Sequence, residues 1–195
     1  MNPGKIIFLN GTTSAGKTST LHMLQNILAE PYLEAGIDTF LWMLPRRYFH
    51  QPLWDDVLGK ASQTGEMGHK LISGMHHAIL TLSHQGLNVL ADHVLIDRQW
   101  LEECVSMFHD APAYLIGIKC PLDVLEQREL AREKDRTPGA AIKQFDIVHA
   151  HGVYDFEVDT SKQNIEDTAH LIKAFLETNT PPRALAQLFD SLKIN

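Results

Sequence analysis

The chain has 195 residues and a formal net charge of −7 at neutral pH, with 44% hydrophobic and 21% charged residues. This length suits one domain with a buried core, and the acidic balance argues against a protein that clamps nucleic acid. No apolar stretch approaches the roughly 20 residues that span a bilayer, and the run before residue 10 is too short for a signal peptide, so we expect no membrane partner.

Hydrophobic periodicity predicts the secondary structure in chain order. The first half contains a predicted strand over 6–9, a helix over 17–29, a second strand that ends near residues 36–38, a helical turn over 39–44 and a helix over 68–84. The second half contains a strand over 88–92, a helix over 98–108, a strand over 114–120, helices over 122–134 and 140–149, a strand over 156–158 and a helix over 165–176. An amphipathic helix over 184–192 follows Pro181 and Pro182, and residues 46–64 carry no clear pattern.

Strands thus alternate with helices along the whole chain. This order is typical of an α/β protein in which helices cover both faces of a parallel sheet, here three layers with five strands. Ligands of such sheets bind beyond the carboxyl ends of the strands, so residues 11–18, Asp38 and Asp92 are predicted at one rim. We assign residues 1–180 to one domain and residues 181–195 to a C-terminal helical extension.

The segment between the first strand and the first helix matches the pattern GxxxxGK[ST] of phosphate-binding loops. Glycines let the backbone approach phosphates closely, successive N–H groups point at the anion, and the helix N-terminus adds a favourable dipole. A lysine can follow the β- and γ-phosphates, and a hydroxyl can bind magnesium. The loop therefore predicts ATP and Mg²⁺ as cofactors, and its residues are Gly11, Thr12, Thr13, Ser14, Ala15, Gly16, Lys17 and Thr18.

Two aspartates lie at the ends of predicted strands, at the same rim. Asp92 has the position of a Walker B acid, which binds magnesium directly or through water, and we predict it with Thr18 as a metal ligand. A helix N-cap or a surface acid is the alternative for Asp92. Asp38 can accept the proton of an attacking hydroxyl beyond the γ-phosphate, or it can cap the turn that begins at Thr39.

Three arginines spaced four residues apart, Arg128, Arg132 and Arg136, lie along one face if the predicted helix continues through them. Arginines at a helix end beside a phosphate site can close over ATP and neutralise charge on the transferred phosphoryl group. The alternative is a solvated face on which the arginines pair with acids and contribute little. Those acids are Glu126, Glu129 and Glu133.

The stretch after Asp38 is crowded with aromatic and large apolar side chains, which suit a pocket for a small, partly apolar acceptor. For any single one of them, packing of a small helical flap is the better explanation. The group comprises Phe40, Trp42, Met43, Tyr48, Phe49 and Trp54.

A longer string of residues, in order between residues 5 and 175, carries a family resemblance. It comprises Ile7-Phe8-Leu9-Asn10-Gly11, Ser14-Ala15-Gly16-Lys17, Gly36-Ile37-Asp38, Met43-Leu44-Pro45, Asp92, Gly117-Ile118-Lys119-Cys120, Arg128-Glu129, Ala131-Arg132, Asp135-Arg136, Gln144, Val148-His149, Gly152-Val153-Tyr154-Asp155 and Glu157-Val158-Asp159-Thr160. Many nucleotide-binding proteins share the loop, whereas the string from Arg128 to Thr160 is much more specific. With these residues the chain resembles the chloramphenicol phosphotransferase-like family of P-loop kinases.

The resemblance implies a P-loop kinase fold similar to that of nucleoside-monophosphate and shikimate kinases, with a small helical lid at about residues 128–141. It also implies ATP-dependent transfer of a phosphoryl group to a hydroxyl of a small molecule. The aspartate that matches Asp38 is the proposed base in that family, and the arginines that match Arg132 and Arg136 belong to the lid. With Lys17, these residues form the predicted catalytic set. His93 departs from the family pattern, which has a second acid there.

Two other functions stay open on the sequence alone. One is a nucleoside or nucleotide kinase, because Arg46 and Arg47 could receive a phosphate-bearing acceptor. The other is a nucleotide-dependent switch with vestigial catalysis, in which the C-terminal helix docks a partner. The two cysteines, Cys104 and Cys120, lack metal-ligand spacing and favour a reduced, cytoplasmic location.

Overall fold

Five parallel strands form one sheet in the part of the chain that the structure, a computed structural model, describes: residues 2–49, 65–131 and 139–193. The strands are β1 (Ile6–Asn10), β2 (Tyr32–Glu34), β3 (Asn88–His93), β4 (Ala113–Lys119) and β5 (Phe156–Asp159), in the spatial order β2-β3-β1-β4-β5. All four pairings between neighbours are parallel. The predicted α/β fold with a five-stranded parallel sheet is therefore confirmed.

Helices connect the strands. Within the described residues they are α1 (Lys17–Ile27), α2 (Ile37–Leu41), α3 (Glu66–His84), α4 (Arg98–Phe108), α5 (Leu122–Ala131), α6 (Ala140–Phe145), α7 (Ile165–Glu177) and α8 (Ala184–Lys193), and a 3-10 turn spans Arg46–Phe49. Two predictions are wrong in detail. The second strand ends at Glu34, so Asp38 lies in the first turn of α2, and the helix predicted over 140–149 ends at Phe145.

Local packing explains both differences. Gly36 is extended, with φ −76° and ψ 171°, and caps α2, whose Ile37 and Leu41 are one turn apart and both buried. After α6, the N–H groups of Ile147 and Val148 both donate to Gln144 O, so the chain tightens into turns and leaves the regular helix.

The two faces of the sheet bury separate hydrophobic clusters because side chains alternate along each strand. Ile6 and Phe8 of β1 belong to the first cluster, and Ile7 and Leu9 belong to the second. Helices α2, α3, α4 and α8 cover the first face, and α1, α5, α6 and α7 cover the second. The sheet thus separates α1, which follows the phosphate loop, from α2, which carries Asp38.

The C-terminal helix α8 lies on the first face of the sheet. Leu185 and Leu188 are buried in the first cluster, and Phe189 stacks on His109 with ring centroids 3.7 Å apart. The division of the chain at residue 180 stays a prediction. No helix in the described ranges combines the length and apolar character needed to cross a membrane.

Candidate functional site

The phosphate-binding loop connects β1 to α1 at the carboxyl edge of the sheet. Gly16 is the N-cap of α1 and has left-handed backbone angles (φ 89°, ψ 14°), a region that favours glycine. Ser14 also has a positive φ, of 61°. Left-handed residues in such a turn let successive N–H groups converge at the start of a helix, which is the geometry of an anion-binding nest.

Buried polar groups lie in this loop and in the first turn of α1. Lys17 is 8% exposed, and its Nζ donates to Thr12 O at 2.8 Å. The hydroxyl oxygens of Ser14 and Thr20 are buried, and the described residues offer them no hydrogen-bond partner. Such an unpaired group costs about 1–3 kcal/mol, so it marks a place where a polar ligand fits. Both residues line a cleft of about 280 Å³ beside Gly16.

The two predicted metal ligands lie side by side. Thr18 Oγ1 donates to Asp92 Oδ2 at 2.7 Å, and Asp92 is only 4% exposed. In the described ranges, no group of three or more His, Cys, Asp or Glu side chains could hold a metal by itself. Two oxygens next to a phosphate loop suit magnesium, which binds through one or two protein oxygens together with phosphates and water.

Gly36 joins the segment of Asp38 to this carboxylate. A Cβ at Gly36 would overlap Asp92 Oδ1, so only glycine lets the start of α2 approach so closely. Asp38 is the second residue of α2 and is exposed. Because Gly36 is the N-cap, the alternative that Asp38 caps this turn is wrong. The role of Asp38 as a base stays a prediction.

Arg128 braces the phosphate loop from the opposite side. Its guanidinium donates to Thr160 Oγ1 at 3.0 Å and to Thr160 O at 2.8 Å, and the Thr160 hydroxyl donates to Ala15 O at 2.9 Å. The chain of contacts runs from α5 through the end of β5 into the loop. Arg128 therefore does not belong to a merely solvated helix face.

Glu129 binds backbone N–H groups of a neighbouring helix. It is buried, and its carboxylate accepts from the N–H groups of Gly139, Ala140 and Ala141 at 3.1 to 3.4 Å. N–H groups at the start of a helix have no partner within that helix, and the carboxylate of Glu129 supplies one for α6. Arg132 and Arg136 lie outside the described residues, as does most of the predicted lid, and their roles stay predictions.

Residues of the family string that the sequence left without a role line the same edge of the sheet. Gln144 Oε1 accepts from the Thr13 N–H at 2.8 Å. Asn10, the last residue of β1, donates through Nδ2 to Val148 O at 2.9 Å and to Tyr154 Oη at 2.7 Å. The only sequence signal for these contacts was membership of the string itself, because the partners are more than a hundred residues apart.

The tyrosine hydroxyl continues this network. Tyr154 Oη accepts from Asn10 Nδ2 and also shares a hydrogen bond of 2.6 Å with His149 Nδ1. Burial and the charge of Lys119 lower the pKa of His149 and of His151 to about 4. Both rings are therefore neutral at pH 7.

His93, the departure from the family pattern, begins a buried hydrogen-bond chain. The Val94 N–H donates to its Nδ1 at 2.8 Å, so the neutral ring carries its proton on Nε2 and gives it to His76 Nε2 at 2.9 Å. His76 Nδ1 then donates to Glu103 Oε2 at 2.9 Å, and Ser73 donates to the other oxygen at 2.6 Å. Burial is the main reason that the pKa of His76 lies below, and that of His93 well below, the usual value.

The aromatic stretch after Asp38 divides between packing and exposure. Phe40 and Tyr48 pack against the first cluster. Trp42 is 63% exposed and lies against Phe49, with ring centroids 4.9 Å apart. Met43 is 68% exposed, and Trp54 lies outside the described residues. The exposed members are the candidates for contact with an acceptor.

The family described as chloramphenicol phosphotransferase-like protein matches residues 4–177 of the chain. Two proteins of Mycobacterium tuberculosis, one from each of two strains, are each 32% identical to it over 201 aligned residues. The alignment covers 96% of this chain and 89% of the relative. Both carry the name "Putative O-phosphotransferase".

Solved structures of several kinases share the fold. A sugar kinase from Janibacter sp. has a TM-score of 0.67 at 15% identity and covers 95% of this chain and 98% of its own. Shikimate kinase from Acinetobacter baumannii, solved with shikimate, has a TM-score of 0.61 at 16% identity, over 92% and 96% of the two chains. The M. tuberculosis APS kinase, solved with AMPPNP and APS, has a TM-score of 0.60 at 16% identity, over 91% and 99%. At these identities, the likeness shows a P-loop kinase fold.

Proposed function

The chain belongs to the chloramphenicol phosphotransferase-like protein family, and on this premise we propose that it transfers the γ-phosphoryl group of ATP to a hydroxyl group of a small molecule. The observation that carries the proposal is the hydrogen bond between Thr18 and Asp92, which brings the end of a phosphate loop next to a buried carboxylate. The name of the mycobacterial relatives supports the same reaction. Both cysteines are free, which fits a cytoplasmic location.

The donor side of the site fits ATP. The N–H groups of the loop and the N-terminus of α1 would bind the phosphates, and Lys17 would follow the β- and γ-phosphates. The Ser14 hydroxyl, buried without a partner among the described residues, would gain one there. Thr18 and Asp92 would hold magnesium, which when bound supplies positive charge for the phosphate oxygens.

On the acceptor side, Asp38 would accept the proton of the attacking hydroxyl as the new P–O bond forms and the bond to ADP breaks. The transition state of such transfers is loose, so alignment and charge neutralisation provide most of the acceleration. Exposed Trp42 would contact the apolar part of the acceptor. Arg132 and Arg136 would close over the transferred group.

The test is an acceptor screen with the purified protein, Mg²⁺ and ATP. Nucleosides, nucleoside monophosphates, sugars and hydroxylated antibiotics are supplied separately, and products are identified by mass spectrometry. We expect one class of hydroxyl compound to gain a phosphoryl group while ADP forms in equal amount, and Lys17→Ala to abolish both. Phosphorylation of nucleoside monophosphates alone would favour the nucleotide kinase alternative. ADP formation that no acceptor stimulates would favour a switch protein.

A further inference from the structure

The side chain of Gln144 reaches from α6 to the phosphate loop. Its Oε1 accepts from the Thr13 N–H at 2.8 Å, across 131 residues of sequence. Helix α6 is anchored at its start, where Glu129 binds three N–H groups and Ala141 is fully buried in the second cluster. An anchored helix therefore holds Gln144 against the loop. A side chain that positions a ligand needs such a rigid support.

The contact lies at a defined end of the loop. Lys17 Nζ donates to Thr12 O at 2.8 Å, so the ammonium group sits beside the peptide that joins Thr12 to Thr13. In loops of this kind the lysine follows the β- and γ-phosphates. We therefore expect the N–H that Gln144 binds to border the terminal phosphate of a bound triphosphate, with the α-phosphate and base further along the loop.

The amide nitrogen of Gln144, Nε2, is available as a hydrogen-bond donor. Its oxygen is engaged by Thr13, which turns Nε2, with two N–H donors, to the other side. The described residues provide no hydrogen-bond partner for Nε2. Because the contact of Oε1 with Thr13 already orders the amide group, Nε2 loses little side-chain entropy when it binds a ligand. A hydrogen bond from Nε2 to an anionic phosphoryl oxygen is about twice as strong as one between neutral groups.

We propose, resting on the function proposed above, that Gln144 Nε2 contacts the γ-phosphoryl group of ATP and holds it in line for transfer. The bond between the γ-phosphorus and the ADP oxygen breaks, a bond to the acceptor oxygen forms, and the acceptor proton goes to Asp38. Gln144 exchanges no proton and stabilises the charge on a phosphoryl oxygen throughout. It is thus a catalytic residue that recognises triphosphate in preference to diphosphate.

The test measures the dissociation constants of Mg·ADP and of a non-hydrolysable Mg·ATP analogue by calorimetry, so it needs no acceptor. Gln144→Met keeps the length of the side chain but removes both hydrogen-bonding groups. We expect about 10- to 100-fold weaker binding of the analogue, and ADP affinity close to wild type. Gln144→Glu keeps an oxygen for Thr13 and replaces the donor with negative charge, so we expect it to weaken analogue binding further.

Ile142→Ala is the matched control, because Ile142 is 52% exposed on the same helix and the change alters no charge. It should bind both nucleotides as the wild type does, and thermal unfolding of all variants checks that they fold. Equal weakening of ADP and analogue binding in the Gln144 variants would reduce Gln144 to a brace of the loop and overturn this inference alone. Wild-type protein that bound neither nucleotide would overturn the proposed function as well.

Discussion

At the residue scale, the two carboxylates proposed for the site differ in burial. Asp92 is buried, accepts from Thr18 and lies against Gly36, so its position is fixed. Asp38 is exposed in the first turn of α2, where an arriving molecule can reach it. A fixed carboxylate suits a metal ion that must not move during transfer, whereas an accessible one suits the acceptor hydroxyl.

Asp38→Asn tests the proposed base. The amide keeps the shape of the side chain but accepts no proton, so we expect turnover with an identified acceptor to fall about 100-fold or more. The dissociation constant of Mg·ATP should stay unchanged, because the proposed partner of Asp38 is the acceptor and not the donor. Wild-type turnover in this variant would contradict the assignment.

Gly36→Ala tests the contact between α2 and the Asp92 carboxylate. The new methyl group would overlap Asp92 Oδ1, so either the carboxylate leaves Thr18 or α2 moves away, and such overpacking costs about 1–3 kcal/mol. We expect weaker Mg·ATP binding and a lower free energy of unfolding in urea.

The control for this change is Gly74→Ala in α3. A Cβ at Gly74 meets nothing within 4 Å, so the free energy of unfolding should rise by about 0.5–1 kcal/mol and nucleotide binding should not change. If both alanine variants bound Mg·ATP as tightly as the wild type, the close contact would have no functional consequence.

At the scale of elements, one carboxylate joins the C-terminal helix to the centre of the sheet. Asp155 Oδ1 accepts from the N–H groups of Arg183 at 2.6 Å and Ala184 at 2.9 Å, and its Oδ2 accepts from the Leu115 N–H at 2.8 Å. Arg183 immediately precedes α8, Ala184 is its first residue, and Leu115 belongs to β4. Asp155 is therefore an N-cap supplied from a distant part of the chain, and its negative charge also interacts favourably with the dipole of α8.

Asp155→Ala should lower the free energy of unfolding by about 2–4 kcal/mol, because three N–H groups lose a charged acceptor. Hydrogen exchange should speed up in α8 and at the start of β4 more than elsewhere. Asp190→Ala, which removes the same charge from an exposed position of α8, is the control and should change stability by less than about 0.5 kcal/mol. Equal effects of the two substitutions would show that charge alone matters.

For the whole molecule, buried histidines make stability depend on pH. Burial holds the pKa of His76 and His93 below the usual value, and the pKa of His149 and His151 is about 4. In the unfolded chain these rings titrate near pH 6.5. Between that pH and the lower folded values, the unfolded chain binds more protons. The stabilisation is therefore complete above about pH 6.5 and is lost as the pH falls.

Urea unfolding between pH 7.5 and pH 4.5 tests this dependence. Each histidine that is protonated only on unfolding should contribute a slope of up to about 1.4 kcal/mol per pH unit. His76→Gln should lower the free energy of unfolding at neutral pH. It should also flatten the dependence of this free energy on pH, because glutamine forms hydrogen bonds but does not titrate. His84→Gln, at an exposed position of the same helix, is the control and should keep the wild-type slope. If His76→Gln kept the pH dependence of the wild type, the buried hydrogen bonds of His76 and His93 would not be its source.

The sequence predicts those parts of the site that depend on contacts between residues close together in the chain. The first strand, the glycines of the loop and the helix that starts at Lys17 depend on neighbours in sequence, and the pattern predicts them to within a residue at the end of the strand. The end of β2 is missed because the buried Ile37 and Leu41 extend α2 backwards over Asp38. The contact of Gln144 with Thr13 leaves no local pattern at all.

By itself, then, the sequence determined the α/β class, the five parallel strands and the phosphate loop, because hydrophobic period and glycine placement act over a few residues. Only the tertiary structure decided that Thr18 bonds Asp92, that Gly36 makes room for that carboxylate and that Asp155 caps α8. These contacts join side chains from separate strands and helices. Their geometry is set by the packing of the two helix layers on the sheet, which no single stretch of sequence encodes.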